Sequence, residues 1–114
     1  LTDGVVLGIT PPVRLSGDIE GTPGITLRNG DRVLRLNRGV IAAKRHIHMT
    51  PADAARFGVE NGQEVRLKCL TQRPLTFEGV EVRVSPQFAA AAHIDYDEAN
   101  ACGFKKGDRA LILP

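Results

Sequence analysis

Apolar and polar residues alternate along much of the chain, which is typical of β-strands with one buried face. The alternation runs through ITLRNGDRVLRL, EVRLKCL, LTFEGVEVRVS and RALIL. Asn29-Gly30-Asp31 interrupts the first of these segments and predicts a hairpin, because Asn-Gly supplies the positive φ angles of a tight turn. GVIAAKRHIHM is predicted to form one further strand. The pattern therefore indicates a mainly β protein.

Two short helices are predicted within this β pattern. Thr50 offers an N-cap hydroxyl, Pro51 suits the first helical position, and Asp53 is acidic in the first turn, before a glycine that suits the C-terminal end. Asp95 and Glu98 repeat the arrangement as a capping box at the start of a second helix.

The two helices belong to an internal repeat. Segments 48–67 and 93–112 align without a gap at a constant offset of 45 residues. The identical residues are His48 and His93, Ala54 and Ala99, Gly58 and Gly103, and Gly62 and Gly107. Because each repeated unit buries its apolar side against a neighbour, we expect a β-barrel built from repeated strand-helix-strand units.

A third, partial copy lies at the start of the chain. DGVVLGITPPVRL aligns with DAARFGVENGQEV, which places Asp3 on Asp53 and Gly8 on Gly58. The position equivalent to His48 would then precede Leu1, so the chain is expected to begin inside a repeat unit.

Composition narrows the class of protein. A chain of 114 residues with 42% hydrophobic and 25% charged residues fits one globular domain, and a net charge of +2 with 4% aromatics does not favour nucleic acid as a partner. The sequence contains neither a membrane-spanning run nor a signal peptide, so a soluble intracellular location is expected. Cys69 and Cys102 lie too far apart for a CxxC motif and are predicted to be buried free thiols.

His46 and His48 are the first candidates for chemistry. Residues two apart in a strand point to the same face, so both imidazoles project together while Ile47 points the opposite way. Zinc is bound by three or four such ligands, and the repeat predicts that His93 is presented beside His48 as a third. The alternative is a solvated pair on an edge strand, with His93 unrelated to it.

Other polar residues carry weaker predictions. Asp18 and Glu20 in SGDIEG could supply a fourth metal ligand, although a turn whose side chains cap local backbone is the more common arrangement. Arg14 and Arg45 could hold a phosphate through their guanidinium groups, or be solvated surface charges. Asn100 is a candidate binding residue, because the equivalent residue in the repeat is alanine and packing therefore does not require a polar side chain there. It could equally be an exposed helix residue.

Several long motifs resemble a known family. PPVRLSGDIEGTPGITL, GVIAAKRHIHMTPADA, VRVSP and HIDYDEANA closely resemble the C-terminal half of the PduL-type phosphate propanoyltransferases, also called phosphotransacylases, and the resemblance covers nearly the whole chain. It implies interconversion of a short acyl-CoA and phosphate with an acyl phosphate and coenzyme A. It also implies a pair of β-barrels, with residues 1–24 as a connecting segment, residues 25–114 as one barrel, and two zinc ions between the barrels.

The resemblance also implies roles for individual residues. His46, His48 and His93 match metal-binding motifs, and Asn100 together with His93 matches positions expected to contact coenzyme A. The family's N-terminal half carries another histidine pair, a phosphate-binding arginine and a glutamate ligand, so it would complete the site. A homo-oligomer in a bacterial microcompartment or the cytoplasm is expected.

Two functions remain open from the sequence. In the first, zinc polarises the thioester and phosphate attacks it directly, since no Cys or Ser has an activating partner in the sequence. In the second, the chain is a non-catalytic double-psi-like β-barrel that serves as a binding or interaction module.

Overall fold

The predicted repeat is visible in the helices of the computed structural model, which describes residues 1–113. The helices are α1 (Thr2–Leu7), α2 (Pro51–Phe57) and α3 (Tyr96–Cys102). Each ends at a glycine in the left-handed region, with φ of 68° at Gly8, 67° at Gly58 and 65° at Gly103. The third, partial copy is therefore confirmed at the level of its helix, because α1 ends as α2 and α3 do.

Both predicted helix starts are confirmed. The Asp53 backbone N–H donates to the Thr50 hydroxyl at 3.1 Å, and the Thr50 backbone N–H donates back to the Asp53 carboxylate. At α3 the Glu98 N–H donates to the Asp95 carboxylate at 2.8 Å, and the Asp95 N–H donates to Glu98 at 3.0 Å. Both helices thus begin with reciprocal side-chain caps that satisfy otherwise unpaired N–H groups.

The chain divides into two compact units, the first of which is Leu1–Lys44. In it, β1 (Val13–Arg14) pairs in parallel with β4 (Ala42–Ala43), and the antiparallel hairpin joins β2 (Ile25–Asn29) to β3 (Arg32–Leu36). The predicted hairpin is confirmed, but its turn is Gly30-Asp31, because Asn29 is the last residue of β2 and only Gly30 has a positive φ, of 58°. The boundary expected between residues 24 and 25 stays a prediction.

The second unit begins at Arg45 and contains a five-stranded sheet. Its strands are β5 (His46–Met49), β6 (Glu64–Leu70), β7 (Thr76–Val84), β8 (Ala91–His93) and β9 (Arg109–Leu113), in the spatial order β8-β5-β7-β6-β9. β5 and β7 are parallel, and the other neighbours are antiparallel. The sheet curls into a half-barrel, so the mainly β fold with short helices is as predicted.

One strand prediction is wrong. GVIAAKRHIHM is not a single strand, because the pairing partner changes within it: β4 pairs with β1 in the first unit, whereas β5 pairs with β7 and β8 in the second. Residues 44–45 separate the two strands.

The hydrophobic core lies on one face of the five-stranded sheet. Along β6 the buried residues are Val65, Leu67 and Cys69, and each is flanked by exposed residues. Val80 and Val82 of β7, the neighbouring strand, are fully buried in the same core. Along β6 the alternation predicted from the sequence is therefore the alternation between core and solvent. The prediction of one buried face is wrong for the hairpin, because all of β3 and all but the first residue of β2 are exposed. No helix among the described residues is long and apolar enough to cross a membrane.

Strand register reveals a local two-fold relation between the repeats. In the β5–β8 ladder Ile47 lies opposite Ala92, and in the β6–β9 ladder Leu67 lies opposite Ile112. The residues of each pair are equivalents in the repeat, 45 positions apart. Antiparallel pairing of a residue with its own equivalent is what a two-fold axis through the ladder produces. The two-fold relation maps β5 onto β8 and β6 onto β9.

Candidate metal centre

β5 and β8 bring together all three histidines of the chain. His46 and His48 alternate with Ile47, which is buried in the core with 4% of its surface exposed. The antiparallel register places His93 directly opposite His46. Ring centroids lie 4.7 Å apart for His46 and His48, 4.8 Å for His46 and His93, and 4.5 Å for His48 and His93. The predicted convergence is confirmed.

The three side chains could hold a metal ion. One ring nitrogen from each of His46, His48 and His93 lies within 4.8 Å of the others. The Nε2 atom of His48 is buried and makes no hydrogen bond within the described part of the chain. An unsatisfied buried polar atom costs about 1–3 kcal/mol, so this nitrogen is suited to an external partner. The donor set therefore fits a transition metal, while the identity of the metal stays a prediction.

The electrostatics of the cluster favour the neutral form of His48 and His93. Burial, followed by the nearby charges of His93, His46 and Arg83, lowers the pKa of His48. Desolvation, followed by the charge of His46, lowers the pKa of His93. Histidine binds metals through a neutral ring, so both shifts keep ligand nitrogens available at neutral pH.

Phe88 packs directly on this cluster. Its ring stacks on His48 with centroids 3.9 Å apart and planes inclined by 12°, and the Arg83 guanidinium lies 6.0 Å from the Phe88 centroid. Phe88 is half-buried in the loop between β7 and β8, where its N–H donates to the Ser85 carbonyl at 3.1 Å. This contact is not predicted from the sequence, because a loop has no periodicity that fixes where its side chains point.

Arg45, a predicted phosphate ligand, is engaged in an ion pair. Its Nη1 donates to Oε1 of Glu98 at 2.8 Å, and its guanidinium lies 5.6 Å from the Phe77 centroid. Since Glu98 also caps α3, the pair links the start of β5 to the helix that follows β8. The cap is predicted from the sequence, whereas the ion pair is not.

Three further candidates have local partners in the first unit. Arg14 donates to both carboxylate oxygens of Asp18 at 3.0 Å. Glu20 accepts from Arg38. Arg14, Asp18 and Glu20 therefore take part in ion pairs at the surface. Phosphate binding by Arg14 and metal binding by Asp18 or Glu20 stay predictions.

The remaining predicted site residue lies on α3. Asn100 is exposed there, and its role in contacting coenzyme A stays a prediction.

Both cysteines are buried free thiols, as predicted. Cys69 is 6% exposed and Cys102 is fully buried. Burial, reinforced by the neighbouring Cys102, raises the pKa of the Cys69 thiol to about 11. Cys69 is therefore a protonated core residue at neutral pH, with none of the features of an activated nucleophile.

The chain is similar in sequence to proteins of one known family. The family profile described as "Phosphate propanoyltransferase" matches residues 1–105. Curated relatives with that name include proteins of Enterococcus faecalis, 58% identical over 113 residues, Listeria monocytogenes, 58% identical over 112, and Thermotoga maritima, 46% identical over 113. The alignments cover 99%, 98% and 98% of this chain and 54%, 53% and 54% of the relatives. The chain thus spans about half the length of these relatives.

Proposed function

The chain belongs to the phosphate propanoyltransferase family, and we propose that it supplies the three-histidine part of the metal centre of such an enzyme. The complete protein interconverts a short acyl-CoA, propanoyl-CoA or acetyl-CoA, and phosphate with the acyl phosphate and coenzyme A. The observation that carries the proposal is the convergence of His46, His48 and His93, with a buried His48 nitrogen available for a ligand.

The proposed metal is zinc, with two ions in the complete protein. Three imidazoles suit zinc, although cobalt, nickel and copper accept the same ligands. When bound, zinc would supply Lewis-acid polarisation of the thioester carbonyl or of phosphate. His46, His48 and His93 would hold the ion and take no part as nucleophiles.

The state of the thiols supports direct transfer. In the proposed reaction a phosphate oxygen forms a bond to the thioester carbonyl carbon, and the bond from that carbon to sulfur breaks to release coenzyme A thiolate. An acyl-enzyme route would require an activated nucleophile in place of phosphate for the first bond. Cys69 and Cys102 do not meet that requirement, because both are buried and the pKa of Cys69 is raised to about 11.

Substrate contacts are proposed at the exposed side of the centre. His93 and Asn100 are both exposed, at the end of β8 and on α3 respectively, and we assign them to coenzyme A. Arg14 and Arg45 are less suited to phosphate, since each already pairs with a carboxylate. The family resemblance instead favours an arginine of the N-terminal half for the phosphate.

The same proposal includes the assembly of the complete protein. The second unit would form one of two barrels, the N-terminal half would complete the metal centre, and the enzyme would be a homo-oligomer in a bacterial microcompartment or the cytoplasm. The alternative, a non-catalytic double-psi-like binding module, predicts no metal requirement.

One experiment separates the enzyme from the binding module. The complete protein, purified without chelator, is analysed for metal by mass spectrometry and assayed for phosphate-dependent consumption of propanoyl-CoA. His48→Ala should lower both the bound metal and the activity. Lys68→Ala, an exposed change on β6, is the control that should alter neither. A metal-free wild-type protein, together with full activity of the His48 variant, would contradict the proposed function.

A further inference from the structure

An ion pair joins the strand that carries His46 to the helix that carries Asn100. Arg45 directly precedes His46, and its Nη1 donates to Oε1 of Glu98 on α3 at 2.8 Å. Because His46 lies opposite His93 in the β5–β8 ladder, the pair closes a ring of contacts that runs from Arg45 through both histidines into α3. The side chains of Arg45 and Glu98 are 35% and 18% exposed, so the pair is partly shielded from solvent.

Both partners of this pair are held by further contacts. Oε2 of Glu98 accepts from the Asp95 backbone N–H at 3.0 Å in the cap of α3, whereas Oε1 accepts from Arg45. The Arg45 guanidinium lies 5.6 Å from the Phe77 centroid, and the Arg45 carbonyl accepts from the Glu81 N–H at 3.2 Å. The pair therefore connects the start of β5 to the first turn of α3 through two side chains whose freedom is already restricted.

The equivalent acidic residue of the other repeat copy makes a different pair. Asp53 is the equivalent of Glu98 and also caps its helix, but it pairs with Arg56 of the same helix at 3.1 Å. The residue equivalent to Arg45 is Ala90, which carries no charge. Because the cap of α2 forms without a link to the preceding strand, the link made by Arg45 is not needed to start a helix at this place in the repeat.

The orientation of α3 depends on tertiary contacts. A helix of seven residues is too short to be stable alone, so its neighbours determine how it lies. At its C-terminal end, the carbonyl of the buried Cys102 accepts from the Thr71 hydroxyl. At its N-terminal end, Glu98 pairs with Arg45. Contacts at both ends fix the direction of the helix, whereas loss of the N-terminal contact leaves it free to pivot about the other end.

We propose that Arg45 is a positioning residue for coenzyme A and acts through Glu98. The ion pair holds Asn100 in place relative to His93. The linked helix is the one with a polar candidate at this position, since the equivalent of Asn100 on α2 is Ala55. A ligand that contacts both the end of β8 and α3 binds more tightly when the two are already ordered, because binding then costs less entropy. The inference rests on the proposed function, in which His93 and Asn100 bind coenzyme A.

Steady-state kinetics of the complete protein, loaded with zinc, test the proposal. Arg45→Met removes the charge and should raise KM for propanoyl-CoA about threefold to tenfold, as expected for loss of a partly buried ion pair. KM for phosphate and kcat should stay within about twofold of the wild-type values, because only the binding of one substrate is weakened. Arg45→Lys keeps the charge and should recover part of the affinity. Arg56→Met breaks the pair on α2 and is the matched control, which should alter none of these constants.

Glu98→Gln distinguishes positioning from direct contact. The amide can still cap α3 but has no charge, so this variant should raise KM for propanoyl-CoA about as much as Arg45→Met does. The double variant should raise KM no further, because the two residues act as one pair. If Arg45 itself bound coenzyme A, Glu98→Gln would leave KM for propanoyl-CoA unchanged or lower it. An increase confined to KM for phosphate would identify Arg45 as a phosphate ligand. Either of these two results overturns the positioning role.

Calorimetric titration with coenzyme A separates this inference from the proposed function. The dissociation constant of Arg45→Met should rise by the same factor as KM. A wild-type protein that binds no coenzyme A would overturn both the proposed function and the inference, whereas equal dissociation constants of the two proteins would overturn only the inference. Metal content and the circular dichroism spectrum of Arg45→Met should match those of the wild type. Loss of metal or of helix would overturn the positioning role in favour of a purely structural one.

Discussion

The rings of His48 and Phe88 lie face to face, with centroids 3.9 Å apart and planes inclined by 12°. His46 and His93 lie beside the same imidazole at tilted angles. Phe88 therefore restricts the orientation of the ring whose Nε2 is buried and unpaired among the described residues. The stack would fix the orientation of His48 as a ligand before a metal ion binds.

Replacing Phe88 by leucine should weaken metal binding. Loss of groups that orient a metal ligand typically lowers affinity about 10-fold to 100-fold, and a stacking partner should fall at the lower end of that range. The dissociation constant would be measured on the complete protein by competition between zinc and a chromophoric chelator. Phe57→Leu is the matched control, since Phe57 also lies beneath an arginine, Arg56, at 4.8 Å. Equal affinities of the two variants would show that the stack does not orient His48.

Glu98→Ala should destabilise the protein more than the equivalent change at Asp53. Both residues cap a helix and pair with an arginine, but Arg45, the partner of Glu98, is 35% exposed, whereas Arg56, the partner of Asp53, is 67% exposed. The loss at Glu98 should be about 1–2 kcal/mol in the free energy of unfolding. Urea denaturation followed by circular dichroism measures it. Glu98→Gln should recover part of the loss, because the amide can still cap α3. Equal losses at positions 53 and 98 would contradict a larger contribution from the Arg45 pair than from the Arg56 pair.

Gly58→Ala and Gly103→Ala should be destabilising to a similar extent. Both glycines have left-handed φ angles, and the added Cβ would meet nothing within 4 Å at Gly58 and only ordinary contacts with Arg73 at Gly103. The cost is therefore that of the backbone conformation alone, about 1 kcal/mol at each position. Thermal unfolding of both variants and the wild type measures this loss of stability. Variants as stable as the wild type would contradict the cost of the left-handed backbone, and unequal losses would contradict the equivalence of these helix ends.

The Cys69 thiol should resist alkylation until the protein unfolds. Burial raises its pKa from 9.0 to about 11, so Cys69 of the folded protein is almost entirely protonated at pH 8.5. Iodoacetamide should react at least about tenfold faster with Cys69 after denaturation than before, because thiolate is the reactive form. Peptide mass spectrometry resolves the rate at Cys69. Comparable rates in the native and denatured states would contradict the buried, protonated thiol.

The same shift predicts a loss of stability at high pH. The contribution of the neutral Cys69 thiol is fully present below pH 9 and is lost as the pH rises towards 11, since the unfolded chain releases its proton first. The difference in unfolding free energy between wild type and Cys69→Ala, measured across that range, isolates this contribution from other titrating groups. A pH-independent difference would contradict it.

Local interactions explain which features could be predicted from the sequence. Residues at most four positions apart determine the caps at Thr50 and Asp95 and the turn at Gly30. Short segments of the sequence are therefore enough to predict them. The alternation along β6 has the same local character. The meeting of His46 with His93 spans most of the second unit, and it could be predicted because the repeat supplied the missing long-range relation.

Features that depend on distant partners were missed. The break at residues 44–45 follows from a change of pairing strand, which no property of the segment itself encodes. The ion pair of Arg45 joins residues 53 positions apart. The position of Phe88 depends on the course of a loop. In each case the sequence contains the residue, whereas the tertiary structure determines its neighbour.

The pairs Ile47–Ala92 and Leu67–Ile112 have a consequence for assembly. A residue that faces its own equivalent across an antiparallel ladder belongs to an isologous interface, the kind that joins the subunits of a symmetric homodimer. The second unit thus contains, within one polypeptide, the contacts by which two copies of a 45-residue module would dimerise. Covalent linkage allows the two copies to differ in sequence, as they do at His46 and its equivalent Ala91.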